Sequence, residues 1–438
     1  MNLKKSIKFQ KEARRLIPGM GQLLSKRPDM FSLGVWPGYY SKAKGVEVWD
    51  LDGNRYIDMS ISGIGANILG YADPDVNAAV IGAINNGSSS SLNCPEEVEL
   101  ARELCRIHPW AKKVRFARAG GESMAVAVRI ARAYTNRDKV AICGYHGWQD
   151  WYLAANLGTE NALGEHLLPG LSPAGVPKTL QGTAFTFRYN HIEELKDIIL
   201  KHKNDLAAVI MEPIRNIQPE KGFLEGVKAL AKEAKAIFIF DEISSGFRMN
   251  CGGAHLLFGV DPDIAVFSKA LGNGYPIAAI IGKSDVMDAA QISFISSTMW
   301  SERIGPTAAL AVIKKYEEHD VGKHLMAIGQ AMQEGWASIA KSNCLNITVS
   351  GIYPLSHFTF NTPDPLTMKA FYIQEMMEHG FLASNTFYPM FAHTKKHLES
   401  YLVAADEVFG RIGQLKDSGG LRAALKGEPS VSGFKRMT

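Results

Sequence analysis

Cysteine is scarce in this chain, and its five copies (Cys94, Cys105, Cys143, Cys251 and Cys344) are odd in number and irregularly spaced. No CxxC pair or cysteine–histidine cluster offers metal-ligand spacing, so free thiols in a reducing compartment are expected, and no metal. Long apolar runs are missing as well. No segment approaches the ~18 uninterrupted apolar residues of a membrane span, so no membrane partner is expected. The N-terminus, MNLKKSIKFQKEARRLIP, is basic without an apolar centre or a cleavage site and does not read as a secretory signal. Together these point to the cytoplasm. Charge of one sign is not in excess either: the net value is +4 with the basic residues dispersed, which disfavours nucleic acid as a partner. Internal repeats and low-complexity tracts are lacking.

What remains is an ordinary globular composition, 46% hydrophobic and 21% charged, over a length that calls for two or three units. The first is residues 1–60: an amphipathic helix from Ser6 to Leu16, an apolar arm (FSLGVWPGYY) that should pack on something, a second subunit included, and a β-hairpin. In that hairpin VEVWD and RYIDM are strand-like, with DGN as the turn. The second unit, residues 61–315, alternates strand and helix. KVRFA, KVAICG, LAAVIMEP, AIFIFDE, IAVFSKAL and AAIIGK read as strands. EEVELARELCRI, GESMAVAVRIARAYT, HIEELKDIILKHK and VKALAKEAKA read as helices. Such alternation predicts an α/β fold around a mostly parallel sheet, whose ligands bind where strands end. After the helix GPTAALAVIKKYEEH, residues 316–438 read as a smaller α+β region ending near Gly410, and the last 25 residues as peripheral.

Four strand ends carry polar residues worth weighing. Lys269 follows the apolar run AVF and precedes a loop with Gly272 and Gly274. Desolvation there lowers a lysine's pKa and favours a nucleophilic amine, although a snorkelling surface lysine fits the same segment. Asp241 closes a run of apolar residues, so its carboxylate needs a cation or hydrogen bonds. A protonated ring nitrogen would serve; so would a helix N-cap or a metal. The adjacent Glu242 makes an acidic pair of the kind nucleotide-binding sheets use, but no Gly-x-x-x-x-Gly-Lys-Ser/Thr loop exists to go with it. Gly120 and Gly121 lie between a strand and a helix, where free N–H groups suit a phosphate, or where a simple turn is needed. Tyr145 and His146 follow VAIC, where a ring could stack on a flat ligand or pack in the core. Trp148, Trp151 and Tyr152 then line a substrate entrance or pack inward. Arg248, Arg303 and His357 are candidates for anionic groups, with structural roles equally open.

In order and in wording, these motifs resemble the class III aminotransferases of pyridoxal-phosphate (PLP) fold type I, over about residues 8 to 408. The shared motifs are VWDLDGNRYIDM, AGGES, YHG, MEPIRN, FDEISSGFR, FSKALGNGYP and TMWSERIGPTAALA. Within the family the chain is most similar to the glutamate-1-semialdehyde aminomutase branch. The resemblance implies a large domain with a seven-stranded sheet, a smaller C-terminal domain, and PLP as cofactor. It makes Lys269 the Schiff-base lysine and Asp241 the partner of the pyridine nitrogen. Tyr145 and Ile243 then flank the ring, Glu212 lies near the site, and Asn216 lies near the phenolic oxygen. Gly120 and Gly121 cradle the phosphate, reached also by Thr298 of the partner subunit in a homodimer with shared sites. Trp148, Trp151 and Arg248 are the candidates for substrate contact.

Two departures from the family matter. Ala119-Gly120-Gly121-Glu122 stands where Ser-Gly-Thr-Glu is common, so backbone N–H groups or Ser123 must hold more of the phosphate. The substrate-binding arginine segment of the aminomutase branch is replaced by GQLLSKRPDMFSLGVWPGYY. The expected reaction is therefore transamination from an amino acid, glutamate first, to an aldehyde or keto acceptor. An oxidised sugar such as a 3-deoxy-octulosonate, used for surface carbohydrate, is the acceptor this reading favours. The alternative is the 2,1-aminomutase acting on glutamate-1-semialdehyde.

Overall fold

The computed structural model describes residues 1–159, 161–166, 169–416 and 420–433. Residues 1–73 and 323–438 form one compact unit, and residues 74–322 form the other.

The larger unit is built on seven strands: β1 (Lys113–Ala117), β2 (Lys139–Cys143), β3 (Ala184–Thr186), β4 (Leu206–Met211), β5 (Ile237–Asp241), β6 (Ile264–Phe267) and β7 (Ala278–Gly282). They lie in the order β1-β7-β6-β5-β4-β2-β3. Only β7 runs against the rest, pairing antiparallel with both β1 and β6. Every residue of β4, β5, β6 and β7 is buried. That is why these strands read as continuous apolar runs rather than alternating ones: helices cover both faces of such a sheet. The expected fold, α/β with a mostly parallel seven-stranded sheet, is the one observed. The helix Gly120–Thr135 packs Met124, Ala127, Val128 and Ala131 into the core on one face.

In the other unit, Glu47–Asp50 and Arg55–Met59 form the expected hairpin, with Tyr40–Lys44 added on one side and Phe381–Ala383 paired parallel on the other. The first helix begins at Lys4 because Asp52, in the hairpin turn, accepts the N–H groups of Lys5 (2.7 Å) and Ser6 (2.8 Å). A carboxylate at a helix N-terminus meets its unpaired donors and its dipole. The apolar arm packs within its own chain: Phe31, Val35 and Trp36 sit with Ile373, Met377 and Leu382.

Two C-terminal expectations are corrected. The helix Lys395–Leu415 passes straight through Gly410. The segment after it is not peripheral, since Ser430 is buried with its hydroxyl donating to the Phe31 carbonyl, and Val431 N–H donates to the Asp29 carbonyl at 2.9 Å. No helix among the described residues is long and apolar enough to cross a membrane.

Candidate functional site

The site grows from the carboxyl ends of β2, β4, β5 and β6. Asp241 is the last residue of β5 and is almost fully buried. A carboxylate there must be met by donors, and it is: His146 Nδ1 lies 2.8 Å from one oxygen, and the Ile243 N–H donates to the other at 3.0 Å. The second nitrogen of His146 is buried without a partner. His146 therefore carries its proton on Nδ1, toward Asp241. Trp151 and Tyr152 pack their rings against His146 and hold it in place.

Register carries Lys269 to the same edge. Asp241 pairs with Val266 of β6, and the chain leaves β6 through Ser268, whose hydroxyl donates to the Ile277 carbonyl at 3.0 Å. Lys269 then takes a left-handed backbone (φ +46°), uncommon for a residue with a side chain and a frequent mark of functional positions. Its amine donates to Ser244 Oγ at 2.8 Å. Burial, with the nearby positive charges of Arg215 and Arg248, pulls its pKa down to about 8 against the pull of Glu212 and Asp241. At pH 7.5 such an amine is neutral about 200 times more often than an ordinary lysine.

The loop bearing Ser244 is anchored from behind. Glu242, fully buried, accepts from Ser245 Oγ (2.5 Å), the His255 backbone N–H (2.9 Å) and His255 Nδ1 (2.7 Å), while His255 Nε2 accepts from the Trp110 indole (3.0 Å). That chain of bonds accounts for the acidic pair without a metal or a nucleotide.

On the other side, Glu212 accepts the Tyr145 N–H (3.2 Å) and the Arg215 guanidinium (3.1 Å). Gly144 has φ +117°, and a Cβ there would stand 2.7 Å from the Glu212 carboxylate, so only glycine lets the two strand ends meet. Asn216 lines a cavity of about 370 Å³ together with Glu212. A contiguous set thus runs from Gly120 through Ile243, Asp241, His146, Tyr145 and Glu212 to Arg215, with Lys269 and Ser244 beside Asp241.

Do these residues fit the expected cofactor? The helix Gly120–Thr135 opens with the N–H groups of a first turn, the kind of end that suits a phosphate. Two glycines keep that cradle open: a Cβ on Gly120 would fall 2.9 Å from Ile243 Cδ1, and one on Gly121 would fall 2.6 Å from the Gln149 side chain. The donor set fits: the Lys269 amine would suit an aldehyde and the Asp241 carboxylate a protonated ring nitrogen, with apolar Ile243 and aromatic Tyr145 at the same strand ends. Ser123 does not contribute, because its hydroxyl is buried and turned back on the carbonyls of Ala119 (2.8 Å) and Gly120 (2.9 Å).

Other sequence candidates lie elsewhere. Trp148 is 72% exposed, but Trp151 is 6% exposed in the core, so the aromatic trio is not one surface. Arg248 is buried, its Nε donating to the Ser244 carbonyl. Arg303 is paired with Glu96, and His357 with Ser350. Thr298 is exposed in a short turn, tied to β1 through Arg118, which bonds the carbonyls of Trp300 and Glu302. Ser244, Arg215 and Gln149 escaped sequence reasoning; a hydroxyl three residues past a strand-end aspartate was the one available signal.

The family pattern described as "Aminotransferase class-III" matches residues 34–408. A 3-aminobutyryl-CoA aminotransferase of Cloacimonas acidaminovorans is 32% identical over 418 residues, covering 92% of this chain and 96% of the relative. Among solved structures, the FumI protein of Sphingopyxis sp. MTA144, in its PLP internal aldimine form, superposes with TM-score 0.85 at 23% identity, covering 98% of this chain and 99% of that one. A β-phenylalanine aminotransferase from Variovorax paradoxus gives TM-score 0.79 at 22% identity over 94% and 95% of the two chains.

Proposed function

The chain belongs to the class III aminotransferases, PLP-dependent enzymes, and from that premise we propose that it carries an amino group from an amino acid donor, glutamate first, to an aldehyde or keto acceptor, using Lys269 and Asp241 as its catalytic pair. The observation that carries the reading is the Lys269 amine, held on Ser244 beside the carboxylate of Asp241 with its pKa drawn down to about 8. When bound, PLP supplies an aldehyde that takes the amino group and an electron-withdrawing ring. Lys269 Nζ provides the covalent tether, then takes and returns the proton of the reacting carbon. Asp241, oriented by His146, keeps the ring nitrogen protonated. Tyr145 and Ile243 would flank the ring, Gly120 and Gly121 would leave room for the phosphate, Asn216 would lie near the phenolic oxygen and Glu212 near the site.

A homodimer with Thr298 of the partner subunit reaching the phosphate belongs to the same reading. Its support is the exposed apolar stretch around Thr298, where Ile292 is 79% and Phe294 87% exposed. Exposed apolar side chains of that kind are what a two-fold interface would cover. A reducing, cytoplasmic setting belongs to the same reading, on the few, odd-numbered and irregularly spaced cysteines.

Two acceptor classes have support. The relative at 32% identity favours a carbonyl β to an acyl group. The exposed Trp148, an aromatic face of the kind that contacts sugar rings, favours an oxidised sugar acid such as a 3-deoxy-octulosonate. The deciding assay supplies the PLP-loaded protein with glutamate and a panel of β-keto acids, their thioesters and sugar aldehydes. Steady 2-oxoglutarate release with one class is expected. Isomerisation of glutamate-1-semialdehyde with no external donor consumed would establish the aminomutase alternative instead.

The amine of Lys269 also makes a prediction about the protein without cofactor. Limited acetylation followed by peptide mass spectrometry should label Lys269 with a midpoint near pH 8, where the amine loses its proton as pH rises. Lys369, in the other unit and drawn by burial to about 8, serves as internal control. Prior loading with PLP should protect Lys269 and leave Lys369 unchanged. If Lys269 labels only with the ordinary lysines, above pH 10, its activation is refuted.

A further inference from the structure

The turn that opens the helix Gly120–Thr135 offers backbone donors and no side-chain donor of its own. The N–H groups of Gly120, Gly121 and Glu122 meet no acceptor among the described residues. Ala119, Gly120 and Gly121 carry no polar side chain, the Ser123 hydroxyl is turned back on the carbonyls of Ala119 and Gly120, and Glu122 turns its carboxylate to the Arg118 N–H at 3.1 Å. The Arg118 guanidinium is engaged by the carbonyls of Ala117 (3.0 Å), Trp300 (2.8 Å) and Glu302 (2.8 Å). A polar side chain does reach Gly121 from outside the turn, and it is that of Gln149. We infer that Gln149 is a phosphate-binding residue of the cofactor site, supplying from its amide nitrogen the side-chain donor that the turn lacks. The inference rests on the aminotransferase reading and adds one residue to its cofactor site.

Two glycines make room for the carboxamide. A Cβ on Gly121 would fall 2.6 Å from both Oε1 and Nε2 of Gln149, so the carboxamide fills the space that a side chain at residue 121 would take. Gly121 has no left-handed backbone that would demand glycine; what its bare Cα admits is Gln149. Gly147 is left-handed, with φ +112°, and a Cβ on it would fall 2.4 Å from Gln149 Oε1 and 3.0 Å from the Gly121 Cα. The half-buried side chain of Gln149 is thus packed between the glycine that ends the Tyr145–His146 segment and the glycine of the helix turn.

Hydrogen bonds set its orientation. The Gln149 carbonyl accepts the N–H groups of Tyr152 (2.9 Å) and Leu153 (3.1 Å), and the Tyr152 hydroxyl donates to the Gly144 carbonyl at 2.9 Å, which ties the segment to the end of β2. Within the carboxamide the two ends differ. Oε1 accepts the Trp148 N–H at 3.1 Å, and because that N–H can only donate, oxygen is the end that faces it. Nε2 has no acceptor among the described residues. Its two N–H groups stand beside the unmet backbone donors of the helix end, a set that calls for the oxygens of an anion.

The test titrates the cofactor-free protein with PLP and with pyridoxal, the same ring and aldehyde without the phosphate, and follows the absorbance of the lysine-bound form. Gln149→Ala should bind PLP roughly 10- to 100-fold more weakly than wild type, the loss of one hydrogen bond to a charged group, and should bind pyridoxal as wild type does. Inorganic phosphate should compete with PLP for wild type and less well for Gln149→Ala. Gln149→Glu keeps the shape and the bond from the Trp148 N–H but sets a carboxylate against the phosphate. It should therefore bind PLP more weakly than Gln149→Ala, leave pyridoxal unchanged, and carry the test if Gln149→Ala does not fold. Equal PLP affinity in wild type and both variants would overturn the inference. So would an equal loss for PLP and pyridoxal, or equal competition by phosphate, either of which would make Gln149 a support of its loop and nothing more. A wild type that takes up no PLP would instead refute the aminotransferase reading, whereas PLP uptake indifferent to residue 149 removes only this contact.

Discussion

Lys269→Ala is expected to lose transamination by about 10⁴-fold or more, the combined size of a lost nucleophile and a lost general base, while the fold survives. The visible absorbance of the lysine-bound cofactor should vanish, with PLP held at most non-covalently on Gly120, Gly121 and Asp241. Stability of the cofactor-free protein should change little. Alanine tolerates the left-handed φ of +46° no worse than lysine does, because the strain lies in the backbone and is fixed by the Ser268–Ile277 bond. Removing the amine also removes a desolvated group whose pKa had been drawn down to about 8. A small exogenous amine such as methylamine should restore part of the rate if Lys269 acts as a base, since the methylene chain it replaces leaves a channel to the reacting carbon. Absorbance titration and single-turnover rates check both points. An unchanged absorbance band in Lys269→Ala would sink the assignment.

How this site could be read from the chain alone differs from residue to residue. Strands β4 to β7 were legible because burial on both faces forces continuous apolar runs, and the ends of those runs placed Asp241 and Lys269 on one edge. β3 was not legible: Ala184–Thr186 is a three-residue edge strand, too short to carry a pattern. The partners that tune the pair escaped for a different reason. Ser244 sits in ISSGF, where nothing local says which hydroxyl turns toward Lys269; that is set by Glu242 and His255, a contact 13 residues apart. Trp151 lies in a short helix on which an aromatic could face either way, and the core on His146 decides it. The C-terminal segment looked peripheral by composition because its anchors, such as the bond from Ser430 to Phe31, join residues 399 apart. Periodicity reports local burial; it is silent on contacts of that range.

Asp241→Asn should be the next most damaging change, and its effect should separate chemistry from folding. The substitution keeps shape and removes charge. In the native protein the carboxylate takes the His146 proton on one oxygen and the Ile243 N–H on the other. Asparagine can still accept from Ile243, and its amide can donate to His146 Nδ1 if the imidazole moves its proton to Nε2, the nitrogen that now lacks a partner. The cofactor-free variant should therefore melt close to wild type, within about 1 kcal/mol. A protonated ring nitrogen facing the amide would instead be a buried cation without its anion. Breaking such a pair costs about 3–5 kcal/mol, which places the loss in kcat/KM at about 200- to 5,000-fold. His146→Ala should produce a smaller loss in the same direction, because it removes the orientation of Asp241 and not its charge. A cofactor analogue with a fixed positive charge on the ring nitrogen provides the discriminating readout: it should recover much of the rate in Asp241→Asn and add little in wild type. Activity within tenfold of wild type for Asp241→Asn with ordinary PLP would mean that the carboxylate only shapes the strand end, and that the proton on the ring is held by some other group.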